Sequence, residues 1–262
     1  MADYLKVVND DGYVLIDDNY QNYHFLKKVV VDGATMRHYS TGRGGSQLED
    51  SNGFLMVQHI FEVASAKKPV VAYRIGTNAN ASIRAITYTE VSPNKWSIKV
   101  MCSSQLYGVP GAYGTLTMYI YGLLPQDATP STGVVFQVRN AKNELIFDSG
   151  RRPMDVVQFE SKLIPYDWLY PTMAKQVEIP IRGWSSDRDY AIVPCSFMFD
   201  SYYSNPNFFY YTSSYSSMSY PNPGKVVIST VMVGVNNIML AQNYPSMVSY
   251  SHAMIVIDVT GL

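Results

Sequence analysis

Residues 134–150 read VVFQVRNAKNELIFDSG, and this stretch decides the fold class of the chain. Apolar and polar residues alternate from Phe136 to Arg139, and a second apolar run ends at Phe147. The residues between the two runs, 140–143, begin and end with Asn, which tolerates the left-handed backbone of a tight turn. Two short β-prone runs joined by such a turn predict a β-hairpin.

A second copy of this pattern lies at the N-terminus, where residues 4–18 read YLKVVNDDGYVLIDD. Val7, Asn9 and Asp17 each have a residue of the same type 131 positions later, with no gap in the alignment. Gly12 supplies the positive φ that a tight hairpin turn requires. The pattern predicts two related hairpins.

Two further segments of the first half resemble segments of the second half. Residues 93–98 resemble residues 223–228, and each is a turn that leads into an alternating strand. Residues 118–123 resemble residues 257–262, at an offset that has grown from 131 to 139. Shared strand order with loops of different length predicts an internal duplication.

The predicted fold is all-β, with two β-sandwich-like domains related by that duplication. The first domain spans residues 1–124 and the second spans 134–262. Residues 125–133 form a linker of Pro, Gly and small polar residues. Outside the hairpins, strands are predicted at 54–61, 70–75, 82–88, 96–101, 175–181, 191–199 and 226–235.

Charge and composition exclude several classes of protein. The formal net charge of the 262 residues is -1, whereas a charge-driven binder of nucleic acid or anionic membranes carries a basic excess. No apolar run is long enough for a membrane-spanning helix, and the first residues lack the pattern of a secretory signal. Charged residues make up only 16% of the chain and 22 residues are Tyr, which favours a surface built for protein or glycan contact.

No motif of catalysis or metal binding stands out. Cys102 and Cys195 lie in apolar stretches and are expected to be buried free thiols. The four histidines form no metal-binding pattern, and the acidic residues at 17–18 and 187–189 lack the ligand spacing of a calcium loop. Residues 42–46 lack the lysine ending of a phosphate loop. We therefore predict a protein that is not an enzyme and has no cofactor or metal.

The most unusual stretch is 201–223, which is rich in Tyr, Phe, Ser and Asn and contains no charged residue. Its aromatic residues are Tyr202, Tyr203, Phe208, Phe209, Tyr210, Tyr211, Tyr215 and Tyr220. A similar but smaller segment, which contains Tyr107 and Tyr113, occupies a comparable place in the first half. We expect both segments to be loops that project from the same end of their domains. Three uses remain open for the larger one: a subunit interface, packing on its own domain, or contact with an external receptor or glycan.

The second hairpin and the residues that follow it resemble a known opening. Residues 135–154, which end in Asp148-Ser149-Gly150-Arg151-Arg152-Pro153-Met154, are similar to an opening common in small tail-associated proteins of tailed bacteriophages. Residues 3–18 are a poorer copy that lacks the Ser and the Arg pair. The resemblance implies a virion protein of the tail tip or tail-fibre apparatus, made in the host cytoplasm, with a role in structure or adhesion.

The resemblance also implies partners. They are other phage tail proteins, further copies of the same chain and, on the host, a surface receptor or glycan; neither nucleic acid nor a membrane span is expected. Three alternatives stay open at the level of the sequence. They are a receptor- or glycan-binding adhesin module, a capsid decoration protein and, as the weakest of the three, a glycan depolymerase.

Overall fold

The protein is seen in a computed structural model that is all-strand in the part it describes. The described residues are 6–8, 14–17, 22–32, 37–38, 56–75, 81–104, 115–124, 131–133, 135–140, 142–143, 145–164, 176–195, 200–205, 208–217, 224–236 and 250–262. Within these ranges no residue lies in a helix, which confirms the all-β prediction.

The described residues form eighteen β-strands. Those of the first half are β1 Lys6–Val8, β2 Val14–Asp17, β3 His24–Asp32, β4 Arg37–His38, β5 Met56–Ala64, β6 Val70–Ile75, β7 Ala81–Ser92, β8 Lys95–Ser104 and β9 Thr115–Gly122. Those of the second half are β10 Gln137–Arg139, β11 Leu145–Asp148, β12 Asp155–Ile164, β13 Gln176–Pro180, β14 Tyr190–Pro194, β15 Asp200–Asn205, β16 Phe208–Ser217, β17 Lys225–Asn236 and β18 Tyr250–Asp258. Strands β1–β2 and β10–β11 are the two predicted hairpins.

The remaining strands form one sheet of six and two sheets of four, all with antiparallel pairing. The six-stranded sheet has the order β12-β18-β14-β6-β9-β3. The four-stranded sheets have the orders β4-β5-β8-β7 and β13-β17-β16-β15. Each four-stranded sheet is drawn from one half of the chain, whereas the six-stranded sheet takes three strands from each half.

The six-stranded sheet crosses the predicted boundary between the halves, because β6 pairs with β14 at Tyr73 and Ile192. A second connection is the isolated antiparallel bridge between His24 of β3 and Pro153, which lies two residues before β12. Beside this bridge, the Phe25 N–H donates to the carbonyl of Arg152 at 2.8 Å. Backbone hydrogen bonds therefore join the halves at two places, and the division into two domains stays a prediction from the sequence.

Both faces of the six-stranded sheet are covered by apolar contacts. On β6, the buried side chains of Val71 and Tyr73 belong to one cluster and Ala72 between them belongs to another, as the alternation of a strand requires. The larger cluster joins this sheet to both four-stranded sheets, through residues such as Ile98 of β8 and Val226 of β17. Apolar contacts shared by several antiparallel sheets give the fold a sandwich-like character.

The outer strands of the six-stranded sheet carry the same irregularity. In the pairing of β3 with β9 the register shifts between Phe25 and Lys27. In the pairing of β12 with β18 it shifts between Val156 and Gln158, which are 131 residues further on. The two hairpins likewise share a bulge at corresponding positions. A duplication predicts such repeated bulges, because a bulge is a built feature of a sheet.

A matched ion pair occurs in the two four-stranded sheets. Lys95 Nζ lies 2.5 Å from Glu62 Oε2, and Lys225 Nζ lies 2.6 Å from Glu178 Oε2. Each lysine is the first residue of the strand that pairs with the strand of its glutamate.

The residue before each of these lysines has a left-handed backbone, with φ of 61° at Asn94 and 83° at Gly224. The carbonyl of Asn94 accepts a hydrogen bond from the Ser65 N–H at 2.9 Å, and that of Gly224 accepts one from the Ile181 N–H at 2.8 Å. The resemblance of 93–98 to 223–228 thus corresponds to equivalent turns. These recurrences support the duplication, which stays an inference.

Three expectations need correction. The strands β3 and β12 were not among the predicted strands, although their offset of 131 follows from the hairpins. Strand β18 corresponds to β9 at an offset of 136 rather than 139. Tyr121 of β9 lies opposite Phe25, and Ile257 of β18 lies opposite Val156, the residue that corresponds to Phe25. Cys195 is exposed rather than buried, because it follows the end of β14.

Candidate interaction surface

The aromatic stretch of the second half forms two strands and is not the long loop that its composition suggested. Residues Asp200–Asn205 and Phe208–Ser217 are β15 and β16, antiparallel neighbours at the edge of a four-stranded sheet. Tyr, Phe and Thr favour strands, and Pro206 stands between the two strands, where a missing N–H is tolerated. The loop prediction had followed from the many Ser and Asn residues of this stretch, which are typical of turns.

The register pairs the aromatic positions of the hairpin with one another. Tyr202 lies opposite Tyr211, and Tyr203 lies opposite Tyr210. Because directly opposed residues share a face and neighbours along a strand alternate, these two pairs occupy opposite faces of the sheet.

The pairing of β16 with β17 shows which face of this sheet is turned toward the core. Val226 of β17 and Ile179 of β13 are opposed and buried in the large core cluster. Two steps along β17, Ile228 lies opposite Ser216 of β16, on the same face. The one register shift between β16 and β17 adds its extra residue to β17, so the alternation along β16 is unbroken.

Side chains alternate between the two faces along β16, and directly opposed positions of β15 share a face with their partners. The aromatic positions therefore fall into two sets. Positions Tyr203, Phe208 and Tyr210 lie on the core face of the sheet, and positions Tyr202, Phe209, Tyr211 and Tyr215 lie on the opposite face. Seven of the ten predicted interface residues are thus placed in one hairpin. Tyr107, Tyr113 and Tyr220 lie outside the described residues.

A buried carboxylate anchors the hairpin on which the phage resemblance rests. The Asp148 carboxylate at the end of β11 accepts hydrogen bonds from the Ser131 N–H at 3.1 Å, the Gly150 N–H at 2.9 Å and Gln137 Nε2 at 3.1 Å. Burial acts to raise the pKa of Asp148, but these hydrogen bonds outweigh it and lower the pKa below its usual value. Such a saturated carboxylate holds structure and is not available for acid–base chemistry.

A second buried carboxylate, that of Asp258, lies at the end of β18. Asp258 Oδ1 accepts from the Thr260 N–H at 2.8 Å, and Asp258 also pairs with Arg152 at 3.6 Å and Arg188 at 3.5 Å. Burial acts to raise its pKa, but Thr260 and the two guanidinium groups lower it overall. Neighbouring Asp189 pairs with Arg74 of β6, so the acidic segment at 187–189 forms part of a contact between the halves.

One histidine is buried without a hydrogen-bond partner. Within the described part of the chain neither ring nitrogen of His24 has a partner, and its ring lies 6.2 Å from that of Phe147. Burial lowers the pKa of His24 from its usual value of 6.5, which favours the neutral ring. Sequence reasoning had treated His24 only as an isolated histidine.

The described ranges contain no group of three or more His, Cys, Asp or Glu side chains that could hold a metal ion. They also contain no helix long and apolar enough to cross a membrane. Scans against protein-family models, curated proteins and solved structures return no match to this chain.

Proposed function

We propose that this chain is a structural protein of a bacteriophage virion, at the tail tip or in the tail-fibre apparatus, which assembles through aromatic β-surfaces. The observation that carries the proposal is the β15–β16 hairpin. It places paired aromatic positions at the edge of a sheet, in a segment from 201 to 217 without any charge.

Such a hairpin suits protein assembly for a physical reason. The centres of protein interfaces are enriched in Tyr and Phe and depleted in charged residues, because rings bury a large area at a small cost in side-chain entropy. The positions Tyr202, Phe209, Tyr211 and Tyr215 share the face turned away from the core. Strand β15 also ends its sheet in the described part of the chain, and an edge strand can pair with a partner.

The tail assignment itself draws on the resemblance at the second hairpin. The segment that carries it is held firmly, since Ser149 Oγ accepts from the Phe136 N–H at 2.8 Å and the Ser149 N–H donates to the Phe136 carbonyl at 2.9 Å. Together with Asp148, these contacts give the Asp-Ser-Gly sequence a structural purpose. On this proposal the chain is not an enzyme and works outside the cell in which it is made.

Location in the particle tests the proposal directly. We expect a gold-labelled antibody against the protein to mark the distal tail of purified phage particles in electron microscopy. Label on the head would instead indicate capsid decoration. If mass spectrometry of the same particles finds no peptide of the chain, the virion proposal is wrong.

Two double variants test the aromatic surface. Tyr202→Ser with Tyr211→Ser removes an opposed pair on the outer face, and we expect loss of assembly with partner tail proteins while the fold is kept. Tyr203→Ser with Tyr210→Ser removes an equally sized pair on the core face, and we expect it to lower the unfolding midpoint. Assembly is read by sedimentation velocity and folding by circular dichroism. Unchanged assembly of the outer-face variant would exclude this face as the contact.

The same hairpin supports a second candidate, a module that binds a host receptor or glycan. Its mixture of Tyr, Ser and Asn is that of surfaces that combine ring stacking with adaptable hydrogen bonds. Direct binding of the purified protein to host surface polysaccharide, lost in the outer-face variant, would favour this role over internal assembly. Release of reducing sugar in the same assay would point instead to a depolymerase.

A further inference from the structure

His24, the first residue of β3, lies at a junction between the two halves of the chain. Its backbone forms the isolated bridge with Pro153, and a hydrogen bond flanks the bridge on each side. One is the bond from the Phe25 N–H described above, and the other runs from the Met154 N–H to the Tyr23 carbonyl at 2.9 Å. The junction is therefore short, because an isolated bridge and not a ladder joins β3 to the start of β12.

The β10–β11 hairpin packs against the side chain of His24. The ring lies 6.2 Å from that of Phe147, and the Asn22 N–H donates to the Ile146 carbonyl at 3.5 Å. His24 is only 1% exposed. A hairpin of the second half thus rests on an outer strand that comes from the first half.

Packing, and not hydrogen bonding, holds the imidazole ring in this place. Neither Nδ1 nor Nε2 of His24 has a hydrogen-bond partner among the described residues. A buried polar group without a partner is costly, and an apolar side chain would fill the same place without that cost. Stability alone therefore does not account for a histidine at this position.

The surroundings of the ring determine its charge. Burial has the largest effect on the pKa of His24 and lowers it. The carbonyls of Ile146 and Arg151 and the Asp148 carboxylate act to raise this pKa, and the Arg151 guanidinium acts to lower it further. The two charged groups also pair with each other, since Arg151 Nε lies 3.7 Å from Asp148 Oδ2. Burial prevails, and the closed junction favours the neutral ring.

The other charged side chains beside the bridge have partners of their own. Lys27 and Lys28 of β3 donate to backbone carbonyls, and the Arg152 guanidinium pairs with Asp258. None of them offers the ring a compensating negative charge.

We propose that His24 is a pH-sensitive latch, whose protonation in mild acid opens the junction at Pro153 and releases the β10–β11 hairpin from β3. A charged imidazole in a buried site without partners is costly, and separating the hairpin from β3 hydrates it. The sheet itself stays folded, because β3 remains paired with β9 and β12 with β18. Opening exposes Tyr23, Phe25 and Met154, which are partly buried against the smaller apolar cluster. The inference does not depend on the phage assignment.

The direction of the effect follows from the two forms of the junction. In the open form the ring is hydrated and has its usual pKa of 6.5, whereas in the closed form the pKa is lower. As the pH falls below 6.5, the open form binds a proton that the closed form does not, so the population of the open form rises. Between pH 7.5 and pH 5.0 this rise is at most about thirtyfold, the limit for a closed form that stays neutral throughout.

Hydrogen exchange of the full chain, followed by NMR, tests the latch. The amides of Phe25 and Met154 report the junction, and those of β18, which is paired on both sides, report unfolding of the sheet. Exchange rates are divided by the intrinsic rate at each pH to give protection factors. We expect the junction amides to be less protected than those of β18 at both pH values, and to lose protection several-fold from pH 7.5 to pH 5.0.

Three variants separate the latch from a general effect of acid. His24→Leu removes the titrating ring, and His24→Gln keeps a neutral polar side chain; in both, the junction amides should no longer lose protection in acid beyond the small change shown by other sites. His59→Gln removes the other histidine whose pKa burial lowers, and it should leave the loss at the junction unchanged. The proposal is overturned if the loss persists in the His24 variants, or if the original chain shows none. It is also overturned if the junction and β18 amides are equally protected at pH 5.0, because the junction would then open only when the whole sheet unfolds.

Discussion

At the scale of single residues, two buried carboxylates of this chain hold structure. Asp148 fastens the β10–β11 hairpin to residue 131, and Asp258 joins the C-terminus to Arg152 and Arg188. Each carboxylate is surrounded by donors, so its charge is compensated in a site that is otherwise costly for an ion.

Replacing Asp148 with Ala is expected to lower the free energy of unfolding by about 2–4 kcal/mol, because the Ser131 and Gly150 N–H groups and Gln137 lose their acceptor. Asp187→Ala is the control, since Asp187 is exposed in a turn, and its effect should be small. Urea denaturation at pH 7 measures both. Equal losses in the two variants would refute the anchoring role of Asp148.

His24 makes stability depend on pH. The pKa of His24 in the folded chain is below 6.5, so as the pH falls below 6.5 the unfolded chain binds a proton that the folded chain does not. Stability is therefore expected to fall as the pH drops from 7.5 to 5.5. His59, whose pKa burial also lowers, adds in the same direction.

His24→Leu removes the titrating group without adding a polar one. Its urea midpoint should vary less between pH 7.5 and pH 5.5 than that of the original chain. His59 retains part of the slope in both proteins. A slope unchanged by His24→Leu would show that His24 does not titrate differently in the two states.

At the scale of elements, the two turns with left-handed backbone differ in what they tolerate. Asn94 provides the required φ with a side chain, whereas Gly224 must have none. A Cβ built at Gly224 would lie 2.9 Å from ring atoms of Trp184, closer than real carbon contacts. The turn at Gly224 thus leaves no room for a side chain, because the ring of Trp184 packs against it.

Gly224→Ala is expected to cost about 2–3 kcal/mol, from backbone strain and the clash with Trp184 together. Gly183→Ala is the matched control, because Gly183 also has a positive φ of 62° but nothing within 4 Å of the added Cβ. Backbone strain alone predicts a cost of about 1 kcal/mol there. Thermal unfolding followed by circular dichroism compares the two, and equal costs would show that Trp184 yields to the methyl group.

At the scale of the whole molecule, the two halves share hydrogen bonds and a core. The pair Tyr73–Ile192 joins β6 to β14, and residues of both halves meet in the larger apolar cluster. Because the sheet is continuous, we expect calorimetry to show one unfolding transition rather than two. Two separated transitions would instead support two independent domains at 1–124 and 134–262.

Much of the local structure could be predicted from the sequence. The hairpins, the strand at 70–75 and the turns before Lys95 and Lys225 follow from alternation and turn residues, which act over a few positions. The strand at β3 was missed because its Lys27-Lys28 pair interrupts the apolar pattern. In the structure Lys27 donates to the carbonyl of Glu62 and lies over the ring of Phe61, contacts that no local pattern reveals.

The sequence identified the candidate interaction surface only in part. Composition identified the aromatic residues of 201–223, but only the register separates the face of Tyr202 and Tyr211 from that of Tyr203 and Tyr210. The proposed latch at His24 was not foreseen, since Phe147, which packs against its ring, lies in the other half of the chain.

The sequence by itself determined the all-β class and the two hairpins, because hydrogen bonding and side-chain alternation within short segments decide these features. The tertiary structure alone decided that three strands from each half form one sheet, that His24 is buried, and that β15 lies at the edge of its sheet. These features depend on contacts between residues far apart in the chain, such as Tyr73 with Ile192 and His24 with Pro153, and local patterns do not encode which distant strands will meet.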